Sequence, residues 1–219
     1  MLIALHRRFD AAAAAPPYDD RRLLAEAALL MDWYLPAMAG KPTAPALREE
    51  YLDLWRQLLP AARAIPPSLV LRDYHVDNLM VLAGRAGLAA CGLLDFQDAV
   101  IGPRSYDLAS LLGDARRDVP EDLAAAMQAR YLDAFPELDR AGFAASYAVL
   151  SAQRNCKIVG IFTRLCVRDG KPIYLRHIPR VWRLIARDLQ HPALAPVAAW
   201  LDRHIPPALR GIPPGLAAP

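Results

Sequence analysis

Two short stretches of the chain contain residues whose types and spacing could carry out chemistry. In residues 71–78 and in residues 93–98, a short apolar run leads into a carboxylate, that of Asp73 or Asp95. The first stretch also has an asparagine, Asn78, five residues after Asp73. Phosphoryl transfer needs a carboxylate near the acceptor hydroxyl, together with carboxylate and amide oxygens as Mg²⁺ ligands. Asp73 fits the role of the carboxylate that takes the proton of the acceptor hydroxyl, the catalytic base. Asn78 and Asp95 fit the roles of the metal ligands.

Asp and Asn also favour turns, so either Asp73 or Asn78 alone would be better explained as a turn residue. The joint pattern, with its order and flanking apolar runs, favours the chemical interpretation. Residues 79–82 and 89–94 are apolar runs separated by the turn residues Gly84 and Gly87. This pattern predicts a β-hairpin that places the Asn78 loop beside the Asp95 loop.

The elements around this hairpin are expected to be helices. Residues 1–9 should end a helix, and 10–17 should form a linker-like loop. A helix should begin near Asp19 or Asp20 and end at Pro36, and a second should precede the break at Pro60. Further helices are expected at about 105–117, 120–134, 139–168, 177–190 and 193–203, followed by a frayed, proline-rich tail at 205–219.

Composition excludes several classes of partner. The net charge is only +3 and there is no basic block, so we expect no nucleic acid partner. No apolar run approaches the roughly 18 residues of a membrane span, so we expect no membrane partner. Cys91, Cys156 and Cys166 are odd in number and lack Cys-x-x-Cys spacing, as expected of reduced thiols in a cytoplasmic protein. The sequence does not indicate an oligomeric state.

Residues 72–80 resemble the catalytic loop of the aminoglycoside phosphotransferase-like kinases, a loop usually written H-x-D-x-x-x-x-N. Residues 94–99, followed by Gly102-Pro103 and residues 106–112, resemble the magnesium loop and next helix of that family. The closest resemblance is to the bacterial cell-wall sugar kinases. It also includes residues 32–34, 160–165 and 168–175, and it extends from Leu2 to about Leu201.

The resemblance implies an α+β, mostly helical fold: the C-terminal lobe of a protein-kinase-like phosphotransferase, with a small hairpin that carries the metal site. It implies ATP and Mg²⁺ as cofactors and anomeric phosphorylation of N-acetylmuramate or N-acetylglucosamine in peptidoglycan recycling. Asp73 would be the catalytic base, Asn78 and Asp95 the magnesium ligands, and Asp107 a support for the catalytic loop. Further candidates for substrate or phosphate contact are His75, Gln97, Asp98, Arg154 and Lys157.

Alternatives remain for these further candidates. His75 could instead pack the loop, Asp98 could be an exposed loop carboxylate, and Arg154 with Lys157 could lie on a solvated helix face. The substrate could also be an aminoglycoside, choline or homoserine. A non-catalytic binding lobe is a further alternative.

Two features depart from the family pattern. Leu71 stands where the family has the leading histidine of its catalytic loop. There is also no Gly-rich loop, since Gly40 is the first glycine, and Lys41 is the only lysine before Lys157. We therefore expect residues 1–204 to form the C-terminal lobe, with a catalytic loop at 71–80, a metal loop at 93–103 and a helical subdomain at 105–204. The N-terminal ATP-binding lobe is expected to be absent from this chain.

Overall fold

The computed structural model describes residues 1–9 and 15–216, so most of the expected loop at 10–17 lies outside the described residues. The chain divides into two compact units. Unit 1 comprises Met1–Asp19 and Ala61–Leu150, and unit 2 comprises Asp20–Pro60 and Ser151–Pro219. The secondary structure is mostly helical with two small antiparallel sheets, which agrees with the expected α+β class.

Unit 1 contains both sheets. Strand β1, Pro67–Val70, pairs with β4, Val100–Pro103, while β2, Leu79–Val81, pairs with β3, Cys91–Leu93. The β2–β3 pair is the strand pairing predicted from the sequence, with Leu79 opposite Leu93. The β1–β4 pair was not predicted. It closes the 29 residues between the two strands into a loop, and both candidate stretches lie in that loop.

The helices of unit 1 pack around a hydrophobic core. They are α1, Leu2–Arg8; α5, Ser105–Leu112; α6, Glu121–Asp133; and the first part of α7, Arg140–Asp169. The core includes the buried aromatic residues Tyr74, Tyr131, Phe135, Phe143 and Tyr147. Helix α5 ends at Leu112 rather than near residue 117, because Gly113 follows it and the Asp114 carboxylate accepts the backbone N–H of Arg116.

A buried histidine ties α1 to this core. His6 is only 5% exposed, and its Nδ1 lies 2.6 Å from the hydroxyl of Tyr131 while Nε2 lies 3.1 Å from the carbonyl oxygen of Leu69. The neutral ring can satisfy both contacts, with Nε2 as donor and Nδ1 as acceptor. Burial, followed by the charge of Arg104, lowers the pKa of His6 to about 4.

We expect His6 to make the protein less stable in mild acid. The pKa of His6 is depressed in the folded state. Its contribution to the free energy of unfolding is therefore fully present above about pH 6.5 and is lost as the pH falls towards 4. The loss should reach about 3 kcal/mol of unfolding free energy. Urea titrations at pH 7 and 4, compared between the wild type and His6→Gln, measure it. Equal pH dependence in the two proteins would contradict this expectation.

Unit 2 is built from helices. They are α2, Asp20–Ala27; a π-helical turn, Leu30–Tyr34; α3, Leu35–Ala39; α4, Pro45–Ala62, whose last two residues belong to unit 1; the rest of α7; α8, Ile178–Asp188; and α9, Ala195–His204. Two expected breaks were wrong. Pro36 lies at the start of α3, where its missing N–H costs little, and Pro60 lies inside α4 near its end.

At Gly160, helix α7 passes very close to the backbone of Leu29, which lies between α2 and the π-helical turn. A Cβ added at this glycine would lie 2.3 Å from the carbonyl carbon of Leu29. No side chain fits at that distance, so the packing within unit 2 requires glycine here.

The proline-rich tail is not frayed over residues 205–216. Ile205 is fully buried, and the hydroxyl of Tyr34 donates to the carbonyl oxygen of Leu209 at 2.5 Å and accepts the N–H of Gly211 at 3.1 Å. Burial raises the pKa of Tyr34 to about 12. The tail thus contacts a buried hydroxyl far away in the chain, which local composition does not reveal.

No helix in the described ranges, 1–9 and 15–216, is long and apolar enough to cross a lipid bilayer.

Candidate active site

The loop that carries Asp73 is tightly turned. It follows β1 and ends in a single 3₁₀ turn, Val76–Asn78, directly before β2. Its backbone is fixed by short hydrogen bonds: the N–H of Asp73 donates to Leu71 at 2.8 Å, and the N–H of Asn78 donates to His75 at 2.9 Å. The side chain of Asp73 is exposed.

A buried carboxylate holds the start of this loop. Asp107, on α5, is fully buried and accepts the backbone N–H of Leu71 at 2.6 Å and that of Arg72 at 3.0 Å. Hydrogen bonds to an ionised acceptor are stronger than neutral ones. The contacts are those of a structural support placed two and one residues before Asp73, and they satisfy backbone donors that would otherwise be buried without an acceptor.

Asn78 connects the two candidate loops. Its backbone carbonyl accepts the N–H of Leu94 at 3.0 Å, which places it beside the residue that precedes Asp95. Its side-chain Nδ2 donates to the carbonyl oxygen of Asp73 at 2.9 Å. With Nδ2 committed to that bond, Oδ1 is the atom of Asn78 suited to bind a cation. Asp73, Asn78 and Asp95 therefore lie on two loops that are directly joined.

The second loop has an unusual backbone. Asp95 has a φ of +56° and Arg72 a φ of +68°, and they are the non-glycine residues with positive φ in the described ranges. Such conformations cost roughly 1–2 kcal/mol for L-residues other than glycine and concentrate at functional sites. One strained residue directly precedes Asp73 and the other is Asp95 itself. The strain thus lies next to the predicted base, Asp73, and at one predicted magnesium ligand, Asp95.

The donor chemistry of this pair of loops fits a magnesium ion. Asn78 offers an amide oxygen and Asp95 an exposed carboxylate, and Mg²⁺ is commonly bound by one or two such groups together with substrate phosphates and water. Within the described residues, no group of three or more His, Cys, Asp or Glu side chains is arranged to hold a metal ion by itself. A site completed by nucleotide phosphates does not require such a group.

The other predicted contacts in unit 1 lie on the same two loops. Gln97 and Asp98 are exposed, and Gln97 Nε2 donates to Asp95 Oδ1 at 2.5 Å. His75 is 8% exposed, with its Nε2 3.5 Å from Nδ2 of Asn78. Between Asp73 and His75, Tyr74 turns into the core, and burial raises its pKa to about 12. The loop therefore exposes Asp73, while the two residues that follow it, Tyr74 and His75, are buried.

Arg154 and Lys157 lie on the part of α7 that belongs to unit 2. Both are buried, at 5% and 8% exposure, so the alternative of a solvated helix face is wrong. Lys157 forms an ion pair with Glu26 at 2.9 Å. Burial raises the pKa of the Asp188 carboxyl to about 6, and the charge of Arg154 is the smallest of the effects that oppose this rise. Contact of Arg154 or Lys157 with a substrate stays a prediction.

Sequence reasoning missed several residues that hold the site. The guanidinium of Arg72 lies 5.8 Å from the ring centre of Tyr18, and Tyr18 packs in an edge-on contact against Tyr106. Arg116 and Arg117 both contact Asp77 in the catalytic loop. Each of these contacts joins residues that are about 40 or more positions apart in the chain. Local spacing in the sequence therefore gave no signal for it.

Comparison with known proteins identifies the family of this chain. A model described as "Phosphotransferase enzyme family" matches residues 1–143. A protein of Caulobacter vibrioides named N-acetylmuramate/N-acetylglucosamine kinase is 41% identical over 189 residues, covering 86% of this chain and 52% of that protein. A protein of the same name from Neisseria meningitidis is 36% identical over 202 residues, covering 85% of this chain and 56% of its own length.

A third protein of that name, from Pseudomonas putida, is 35% identical over 181 residues, covering 79% of this chain and 51% of its own. The chain thus spans about half the length of the curated relatives that it matches. The family match covers well over half of the chain and includes the loops of Asp73, Asn78 and Asp95. On this match and the identities of its relatives, the chain belongs to the phosphotransferase enzyme family.

Proposed function

We propose that the protein transfers a phosphoryl group from ATP to a hydroxyl of an N-acetylated amino sugar, with N-acetylmuramate and N-acetylglucosamine as substrates and the anomeric hydroxyl as acceptor. The observation that carries this proposal is the hydrogen bond from the Leu94 N–H to the Asn78 carbonyl, which joins the loops of Asp73 and Asp95. The substrate class is supported by the names of the relatives.

In the proposed reaction, Asp73 orients the acceptor hydroxyl and receives its proton. The hydroxyl oxygen forms a bond to the γ-phosphorus as the bond from that phosphorus to the β–γ bridging oxygen breaks, which releases ADP. Asn78 Oδ1 and the Asp95 carboxylate would hold Mg²⁺, and the bound ion would neutralise charge on the nucleotide phosphates. Because this chemistry asks little covalent work of the protein, positioning by these residues supplies most of the rate.

Several contacts would keep these side chains in place before a substrate arrives. Nδ2 of Asn78 is committed to the Asp73 carbonyl, so rotation of the amide is restricted. Gln97 donates to Asp95 Oδ1, which leaves Oδ2 as the carboxylate oxygen more readily available to a cation. Asp95 also has a positive φ, a sparsely populated conformation that the surrounding structure must hold in place. Preorganisation of this kind lowers the cost of binding Mg²⁺ and nucleotide together.

A substrate panel tests the proposal. With Mg²⁺ and ATP we expect ADP release with N-acetylmuramate and N-acetylglucosamine, and none with an aminoglycoside, choline or homoserine. The same assay with EDTA in place of Mg²⁺ is the matched control, and it should show no turnover. Turnover of choline, homoserine or an aminoglycoside alone would overturn the substrate class. If no substrate turns over and calorimetry detects no binding of Mg·ATP, the non-catalytic binding lobe is the better interpretation.

A further inference from the structure

A pair of arginines after α5 contacts the catalytic loop at its far end. Arg116 Nε lies 3.6 Å from Oδ2 of Asp77, and Arg117 Nη2 lies 3.2 Å from Oδ1. The two arginines therefore engage different oxygens of one carboxylate. Asp77 is the middle residue of the 3₁₀ turn Val76–Asn78, so it directly precedes the proposed metal ligand Asn78.

The segment that carries these arginines is itself fixed. Asp114 is 2% exposed, and its Oδ1 accepts the backbone N–H of Arg116 at 2.8 Å. Only Gly113 separates Asp114 from the end of α5. The arginines thus extend from a hydrogen-bonded turn that directly follows the buried helix α5.

The same helix also holds the near end of the catalytic loop, because Asp107 on α5 accepts the N–H groups of Leu71 and Arg72. One continuous stretch, residues 107–117, therefore contacts the loop on both sides of Asp73. The near contact is buried, whereas the side chains of Asp77, Arg116 and Arg117 are 44%, 30% and 60% exposed. Exposed ion pairs add little to folding stability. Small displacements of catalytic groups, however, have large effects on rate.

An anion-binding role for the two arginines is the weaker interpretation. The carboxylates of Asp77 and Asp114 lie in the same cluster, so the local charge does not favour a further anion. We propose instead that Asp77, Arg116 and Arg117 are positioning residues that fix the Asn78 end of the catalytic loop relative to Asp73. This inference rests on the proposed phosphotransferase function only for its kinetic test.

The kinetic test compares Asp77→Asn, the double variant Arg116→Gln/Arg117→Gln, and the variant that combines all three changes. We expect Asp77→Asn to lower kcat about 10-fold with little change in KM for the sugar. The combined variant should be no slower than the single one, because all three changes remove the same contact. Arg116→Lys/Arg117→Lys should recover part of the rate. Additive losses, or an unchanged kcat in Asp77→Asn, would overturn the proposal.

The matched control is the ion pair between Arg140 and Asp133, which joins exposed side chains of unit 1 at 2.8 Å. Arg140→Gln should leave kcat unchanged, and a similar loss there would also overturn the proposal.

A second measurement does not depend on turnover. The N–H of Asn78 donates to His75, and the N–H of His75 donates to Asp73. In Asp77→Asn, hydrogen exchange at these two amides should become about 10-fold faster, while amides of the β1–β4 pair stay unchanged. If the wild type fails to transfer phosphate, faster exchange still supports the positioning role, and only the proposed function fails. Unchanged exchange at both amides would overturn the positioning role.

Discussion

Asp73→Asn is expected to reduce kcat by about 10²–10⁴-fold, because the amide cannot accept the proton of the acceptor hydroxyl. The change should leave the fold intact. The side chain of Asp73 is exposed, and the contact that Asn78 makes with residue 73 is to the backbone carbonyl, which the substitution retains. Steady-state kinetics with N-acetylglucosamine and saturating Mg·ATP, together with urea unfolding, measures both effects.

The matched control for this substitution is Asp122→Asn, which changes another exposed aspartate, at the start of α6. It should keep full activity. If Asp73→Asn retained more than about a tenth of the wild-type rate, the assignment of Asp73 as the base would be wrong. A fall in stability greater than about 0.5 kcal/mol would show that Asp73 also has a structural role.

Asp107→Ala should have the largest effect on stability among the site residues. The substitution leaves the N–H groups of Leu71 and Arg72 without their acceptor, and Leu71 lies in the core of unit 1. A buried unsatisfied donor costs about 1–3 kcal/mol, so for two donors the expected loss of unfolding free energy is about 2–6 kcal/mol. Urea titration measures it. The same variant should also lose activity, since the catalytic loop is no longer held at its start.

Ser110→Ala provides the comparison on the same helix. Ser110 is fully buried, and within the described residues its hydroxyl has no hydrogen-bond partner. Removing that hydroxyl should therefore change the unfolding free energy by less than about 1 kcal/mol. Similar losses in the two variants would mean that any substitution in α5 is harmful. The role of Asp107 as an acceptor for the loop would then lack support.

The parts of the site that the sequence predicted are those set by short-range patterns. Two apolar runs with glycines between them indicated the hairpin, and the structure pairs Leu79 with Leu93. The acidic and amide residues at the ends of those runs then had to lie near one another. Helix positions followed from apolar periodicity in the same way, although their ends were less accurate where a proline occupied an early helical position, as at Pro36.

The contacts that were missed join residues far apart in the chain. The β1–β4 pair, the bond from the Tyr34 hydroxyl to Leu209 and the edge-on packing of Tyr18 against Tyr106 have no local pattern. Burial of Arg154 and Lys157 was missed for a related reason. A charged residue on a helix usually faces water, and only a buried partner such as Glu26 makes the opposite placement favourable.

The register of the β2–β3 hairpin has a consequence for which changes in chain length the protein can tolerate. Side chains alternate between the faces of a strand, so a one-residue insertion in β2 or β3 would reverse their orientation and move Asn78 away from Leu94. Residues 82–90, between the strands, are mostly exposed and carry no residue proposed for chemistry. Natural variation in length should therefore accumulate in that segment, while the strands on either side keep a constant number of residues.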